Sequence, residues 1–251
     1  MKIHGTAKGG ALSTKDFGVA FGGGVAAQTF IDNPISDVWE VVNSNLWTIG
    51  SGRATANGTA GVATNPNICR YDLNTNWGNN LSDTTWTIRW SAQLYSVAGN
   101  NGFHSMPISV TSDEGSVEAS GNMIEAFVLD SAAPTHLYNT YCSWVDSGTV
   151  HSSYGTGGTA SQSLGTQYWY QLQRIAADDF TLKTYDADTY ADDDQIGDTW
   201  ICSEDAQYDA AEVEAITDLR YIELGYRNGN AQFNGVGWDY LIEVYNNTLS
   251  P

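Results

Sequence analysis

The sequence predicts an all-β fold: a jelly-roll β-sandwich of two antiparallel sheets with at most one short helix. Three observations predict it. A dozen or more short runs of alternating apolar and polar residues recur along the 251 residues, and alternation with period two marks a half-buried strand. Turn signals rich in Gly, Asn and Asp separate these runs at regular intervals. Aromatic residues make up 12% of the chain and glycines number 26, a composition that suits strands and turns better than helices. No βαβ rhythm is present. No compositional break divides residues 29–251, which read as one jelly-roll domain preceded by a Gly-rich arm over residues 1–28.

Within the arm, Phe17, Val19 and Phe21 alternate in the stretch 15–24. Two readings stand side by side: a strand that adds to a sheet edge of its own domain or of a neighbouring subunit, and a flexible leader. Residues 38–42 and 46–49 read as short strands, with turn signals at 50–52, 57–58 and 65–67, and residues 70–73 open the next strand. In the long strand 83–96, Trp86, Ile88 and Trp90 alternate with Thr87, Arg89 and Ser91. Further strands are expected over 107–111, 123–130, 141–145 and 149–153, with a polar loop at 112–121. Residues 210–216 form the one helical piece. Strands over 219–226 and 237–245 close the chain.

The most informative stretch runs from Tyr168 to Asp188. It reads as a hairpin with an acidic turn in which Asp178 and Asp179 tolerate unusual backbone angles. Tyr168, Tyr170 and Leu172 share the core face of its first strand, while Trp169, Gln171 and Gln173 share the displayed face. In the second strand Phe180 and Leu182 oppose Thr181 and Lys183.

Charge and cysteines bound the function. There are 29 acidic residues against 10 basic ones, a formal net charge of −19. A field of that sign repels phosphate backbones, so no nucleic-acid partner is expected. Cys69, Cys142 and Cys202 form no Cys-x-x-Cys pair, which argues against a zinc site. One disulfide with a leftover thiol and three buried thiols both remain open. No apolar run reaches the length that spans a bilayer, and the start of the chain carries no recognisable signal peptide.

Tyr168–Arg174, Phe180–Asp186, Leu219–Leu224 and Ile242–Asn246, with Leu81–Trp90 before them, resemble the concanavalin A-like lectin/glucanase superfamily, in its laminin-G-like variety. The resemblance covers roughly residues 29–246. Residues 5–18 also resemble the start of uncharacterised laminin-G-like proteins from environmental and viral sequences. The superfamily implies two face-to-face sheets. Its members bind glycans, often beside calcium, or cleave polysaccharides, or serve as structural proteins, and fold alone does not choose among these.

Hydrolysis of a glycosidic bond requires two carboxyl groups about 5–9 Å apart. The superfamily's glucanase pattern, Glu-x-Asp-x-x-Glu on one strand, is absent. Glu223 and Glu243 stand alone on their strands, and a turn separates Glu118 from Glu125. The lyase pattern of a Gln-x-His strand and a Tyr-x-Lys-x-Gly strand is absent too, and His4, His104, His136 and His151 have no partner at useful spacing. The expectation is therefore a non-catalytic glycan-binding module, with Trp169, Gln171, Gln173, Arg89 and Lys183 offering an aromatic face, amides and cations to a sugar. Asp186, Asp188, Asp192 and Asp194 are the candidate calcium ligands, the alternative being a solvated acidic loop. The other functional readings are a structural component of a virion or extracellular fibre that self-assembles through residues 15–24, and a polysaccharide hydrolase or lyase. The expected location is extracellular or on a virion surface.

Overall fold

A computed structural model describes residues 25–29, 39–42, 47–50, 53–58, 67–96, 104–112, 121–130, 138–152, 160–226 and 233–246. Its strands, in chain order, begin with β1 (Val25–Thr29), β2 (Trp39–Val42), β3 (Trp47–Gly50), β4 (Arg53–Gly58) and β5 (Asn67–Asp72). There follow β6 (Trp86–Ser96), β7 (His104–Thr111), β8 (Met123–Asp130), β9 (Tyr138–Asp146) and β10 (Thr149–Ser152). The last are β11 (Gln167–Ala176), β12 (Asp179–Tyr185), β13 (Trp200–Ile201), β14 (Tyr221–Tyr226) and β15 (Phe233–Tyr245). The described residues also include two one-turn α-helices, α1 (Leu73–Trp77) and α2 (Ala210–Glu214), where at most one was expected, and two 3-10 turns at Asp192–Asp194 and Cys202–Glu204.

The strands form two antiparallel sheets. One has the order β13-β12-β11-β6-β15-β4-β3, with β1 also paired to β15; the other has the order β10-β9-β8-β7-β14-β5-β2. This is the expected jelly-roll sandwich. Period-two alternation sends one face of each sheet into a shared core. The eight-stranded sheet contributes Trp86, Ile88, Trp90, Tyr170, Leu172, Phe180 and Leu182; the seven-stranded sheet contributes Tyr71, Ile108, Val110, Ile124, Trp144, Ile222 and Leu224. Trp90 stacks on Tyr170 at 5.2 Å, and Trp144 meets Phe180 edge-on at 6.0 Å. The three cysteines are buried free thiols.

Several local readings change. The strand expected to open at residues 70–73 opens earlier, at Asn67, and leaves Leu73 to the helix that follows. Strand β5 ends at Asp72, whose side chain accepts a hydrogen bond from the Thr75 backbone N–H and caps α1; Gly78, at φ 85°, closes the helix in the left-handed conformation that glycine adopts without strain. In the β11–β12 hairpin neither Asp178 nor Asp179 has positive φ. A register shift between Arg174 and Ala176 bends the strand instead, and such a bulge supplies the twist a tight turn needs. Both aspartates tie down neighbouring segments: Asp179 accepts from the Ser203 backbone N–H and hydroxyl, and Asp178 accepts from the Tyr208 hydroxyl. Strand β1 pairs with β15 from Val25↔Tyr245 to Thr29↔Leu241, so residues 25–28 of the expected arm are part of the sheet. Residues 15–24 lie outside the described residues.

Candidate functional site

Each sheet turns one polar face away from the core. On the eight-stranded sheet, Lys183, Gln171, Arg89 and Glu243 stand opposite one another on β12, β11, β6 and β15. All five residues expected to bind a ligand (Trp169, Gln171, Gln173, Arg89 and Lys183) therefore share this face. Arg89 Nε donates to Gln171 Oε1 at 2.7 Å, and Gln171 Nε2 donates to Gln173 Oε1 at 3.4 Å. The glutamines are not displayed to solvent as the alternation alone suggests. They are buried at 4% and 7% exposure, because they bond to their neighbours and the loop after β12 folds back over the sheet.

That loop is held by Lys183 Nζ, 3.2 Å from Asp192 Oδ1, and by Tyr190. The Tyr190 ring lies 4.4 Å from the Arg89 guanidinium carbon and meets Tyr185 edge-on at 5.3 Å. Tyr190 has φ 54°, a left-handed conformation rare for a bulky side chain. Burial pushes its phenol well above the usual tyrosine range; Glu243 pushes the same way and Arg89 opposes both. Burial likewise pushes Tyr185 up to about 12.

On the seven-stranded sheet a second polar row crosses six strands: Glu40 (β2), Arg70 (β5), Glu223 (β14), Ser109 (β7), Glu125 (β8) and Ser143 (β9). Arg70 Nε donates to Glu223 Oε1 at 2.8 Å and Nη1 donates to Glu40 Oε2 at 3.0 Å; the Ser143 hydroxyl donates to Glu125 Oε2 at 3.0 Å. Glu223 and Glu125 are 1% and 7% exposed. Strands lie about 4.8 Å apart, so the one intervening strand sets their Cα atoms roughly 9–10 Å apart. Along its own strand each glutamate is solitary, whereas pairing across strands brings the two onto one row. Strand β14 reads Tyr221-Ile-Glu-Leu-Gly225, which places Glu223 where the lyase pattern has its lysine.

The candidate calcium ligands do not converge. Asp192 faces Lys183, Asp194 accepts from the Thr189 hydroxyl, and Asp186 and Asp188 are exposed. Among the described residues no three Asp, Glu, His or Cys side chains gather where a metal could sit. His151 does have a partner: it stacks on Trp144 at 5.5 Å, and its Nε2 lies 3.3 Å from Glu212 Oε2, off the line of a hydrogen bond. Among the described residues no helix is long and apolar enough to cross a membrane.

No family model and no curated protein sequence matches the chain. Solved structures do match its fold. A xylan β-1,4-xylosidase from Bacillus halodurans C-125 aligns with a TM-score of 0.56 at 8% identity, over 87% of this chain and 38% of that one. The Bacteroides ovatus xyloglucan-locus GH43B protein aligns with a TM-score of 0.52 at 13% identity, again over 87% and 38%. A Shewanella oneidensis MR-1 protein of unknown function aligns with a TM-score of 0.52 at 13% identity, over 98% of this chain and all of that one. The chain spans about two fifths of the length of the two hydrolases. These matches correct the expectation of a non-catalytic, lectin-like module: the matched structures with a named activity include glycoside hydrolases. The chain has a jelly-roll β-sandwich fold.

Proposed function

We propose that this protein is a polysaccharide hydrolase that uses the Glu125–Glu223 pair of the seven-stranded sheet. The carrying observation is that these two carboxylates share one face and one row, with Ser109 between them. Hydrolysis with inversion uses two carboxyl groups about 6.5–9.5 Å apart, which leaves room for a water molecule. With their Cα atoms two strand spacings apart, roughly 9–10 Å, side chains that lean slightly towards each other bring the carboxyl groups to that range, and this favours inversion over the closer spacing of a covalent mechanism. Glu223, ion-paired to Arg70, is the carboxylate suited to draw a proton from the attacking water. Glu125, bonded to the neutral Ser143 hydroxyl, is suited to protonate the leaving oxygen. An eliminating lyase fits less well, because a glutamate occupies the lysine position of that pattern.

Both glutamates are more than nine-tenths buried, so a glycan reaches them only when this face opens. We read the jelly roll as the laminin-G-like variety and assign the activity to the outside of a cell or particle, where polysaccharides are met. The test is release of reducing ends from xylan, xyloglucan, laminarin and alginate. Activity on one of them that Glu125→Gln removes, while the fold is kept, supports the reading. Inactivity on all four, or full activity of Glu125→Gln, refutes it.

A further inference from the structure

On the opposite sheet the geometry points to a second binding site, an oxyanion receptor built on Arg89 that takes the carboxylate or sulfate group of an acidic sugar. Arg89 is held on two sides. Its Nε is committed to Gln171 Oε1 at 2.7 Å, and Gln171 is fixed in turn by Gln173. One face of its guanidinium is covered by the Tyr190 ring at 4.4 Å. Its two terminal nitrogens have no acceptor among the described residues. A guanidinium fixed at Nε and stacked on a ring presents its remaining edge as a preorganised fork, and that edge matches an oxyanion with two oxygens side by side. Little ordering entropy is left to lose on binding, because the protein has already fixed the side chain.

The carboxylate opposite Arg89 in register does not fill this role. Glu243 is Arg89's partner in register, yet it hydrogen-bonds Tyr245 and makes no ion pair with Arg89 among the described residues. Its charge nonetheless remains close, and the chain carries −19 overall. Both facts favour a ligand with a few separated charges over a dense polyanion, since like charges that are not directly paired repel. Tyr190 holds its ring in place through a left-handed backbone, and strain of this kind concentrates at ligand clamps. The site lies on the other sheet from Glu125 and Glu223, so it stands whether or not the chain is a hydrolase.

Isothermal titration tests the site, using trimers of galacturonate, mannuronate and guluronate, their methyl esters, a 6-sulfated galactose trimer and inorganic sulfate. Salt is kept at 0.15 M, where screening limits long-range repulsion to about 8 Å. The expected result is binding of an acidic trimer that weakens about 10- to 100-fold on esterification or desulfation, and by a similar factor in Arg89→Lys, which keeps the charge but not the fork. Glu243→Gln should tighten binding several-fold. Preference between uronate and sulfated trimers identifies the natural oxyanion. Equal binding of acid and neutral forms, no binding of any acidic trimer, or a Glu243→Gln variant that binds more weakly overturns the proposal. Inorganic sulfate competing as well as the trimers do would show a simple anion site and overturn the sugar assignment.

Discussion

Glu125 and Glu223 face the same way from β8 and β14 with only β7 between them, although they lie far apart in the chain. Their immediate partners differ: a serine hydroxyl for Glu125 and a buried guanidinium for Glu223. Two carboxylates in different surroundings on one face are what acid and base roles require.

This separation predicts the stereochemistry. The first product of hydrolysis should carry the anomeric configuration opposite to the substrate's, as proton NMR of early reaction mixtures can read directly. Retention would place the nucleophile elsewhere. Glu125→Gln should lower turnover by about 10²- to 10⁴-fold, the usual weight of a general acid. Glu223→Gln should do the same and also destabilise the fold, because it strips a charge partner from buried Arg70. Urea unfolding separates the two effects.

The acid limb of stability should depend on Asp72. Arg220 donates to both Asp72 oxygens at 2.9 and 2.7 Å, and this, with help from Thr75, holds the carboxyl well below the usual carboxylate range. A depressed folded-state value means the stabilisation is present above the unfolded value near 4 and is lost as pH falls further, towards the folded value. We expect about 1–2 kcal/mol from this pair, limited by solvent screening, since the Arg220 side chain is 38% exposed. Asp72→Asn keeps the helix cap, as Asn caps as well as Asp, but should lower stability at neutral pH and flatten the decline below pH 4. Urea titrations from pH 2 to 7 on both proteins would show it. A parallel decline in the two would remove Asp72 as the cause.

The sandwich was legible because its signals are local. Alternation in Tyr168–Gln173 and Phe180–Lys183 assigns the core face without knowledge of any partner strand, and Tyr170, Leu172, Phe180 and Leu182 are all in the core. Helix α1 had a readable signal that strand bias overrode: a capping aspartate at 72 and a glycine at 78 bracket it. The Glu125–Glu223 row had none, because register across β14, β7 and β8 is a tertiary property. The convergence of Arg89, Gln171 and Lys183 was legible in direction only. The Tyr190 ring over Arg89 depends on a left-handed backbone at a residue type that gives no warning of it.

That backbone can be tested apart from the ring. A left-handed conformation costs an L-residue about 1–2 kcal/mol, and the ring returns about 0.5–1 kcal/mol through its contact with the guanidinium. Tyr190→Ala keeps the strain and loses the ring, whereas Tyr190→Gly loses both. The glycine variant should be about 1 kcal/mol more stable than the alanine variant in urea unfolding. Equal stabilities would mean that the loop relaxes once the ring is gone.

Arg174 carries the last prediction. It is fully buried on β11, and its guanidinium donates to four backbone carbonyls: Ile216 at 2.6 Å, Val213 at 2.9 Å, Ala176 at 3.3 Å, and Ala177. These carbonyls belong to the hairpin turn and to the end of α2, so one side chain ties two loops to the sheet. Burial lowers its pKa from the usual arginine value, yet a guanidinium stays charged inside proteins. Lysine has the charge but not the planar fork needed to reach both loops at once. Arg174→Lys should therefore cost about 3–5 kcal/mol, the scale of breaking a buried charged network. Hydrogen exchange should show residues 210–216 losing protection before the β11–β12 strands do. Uniform loss across the hairpin and α2 would instead make Arg174 part of the general core rather than the tie between the two loops.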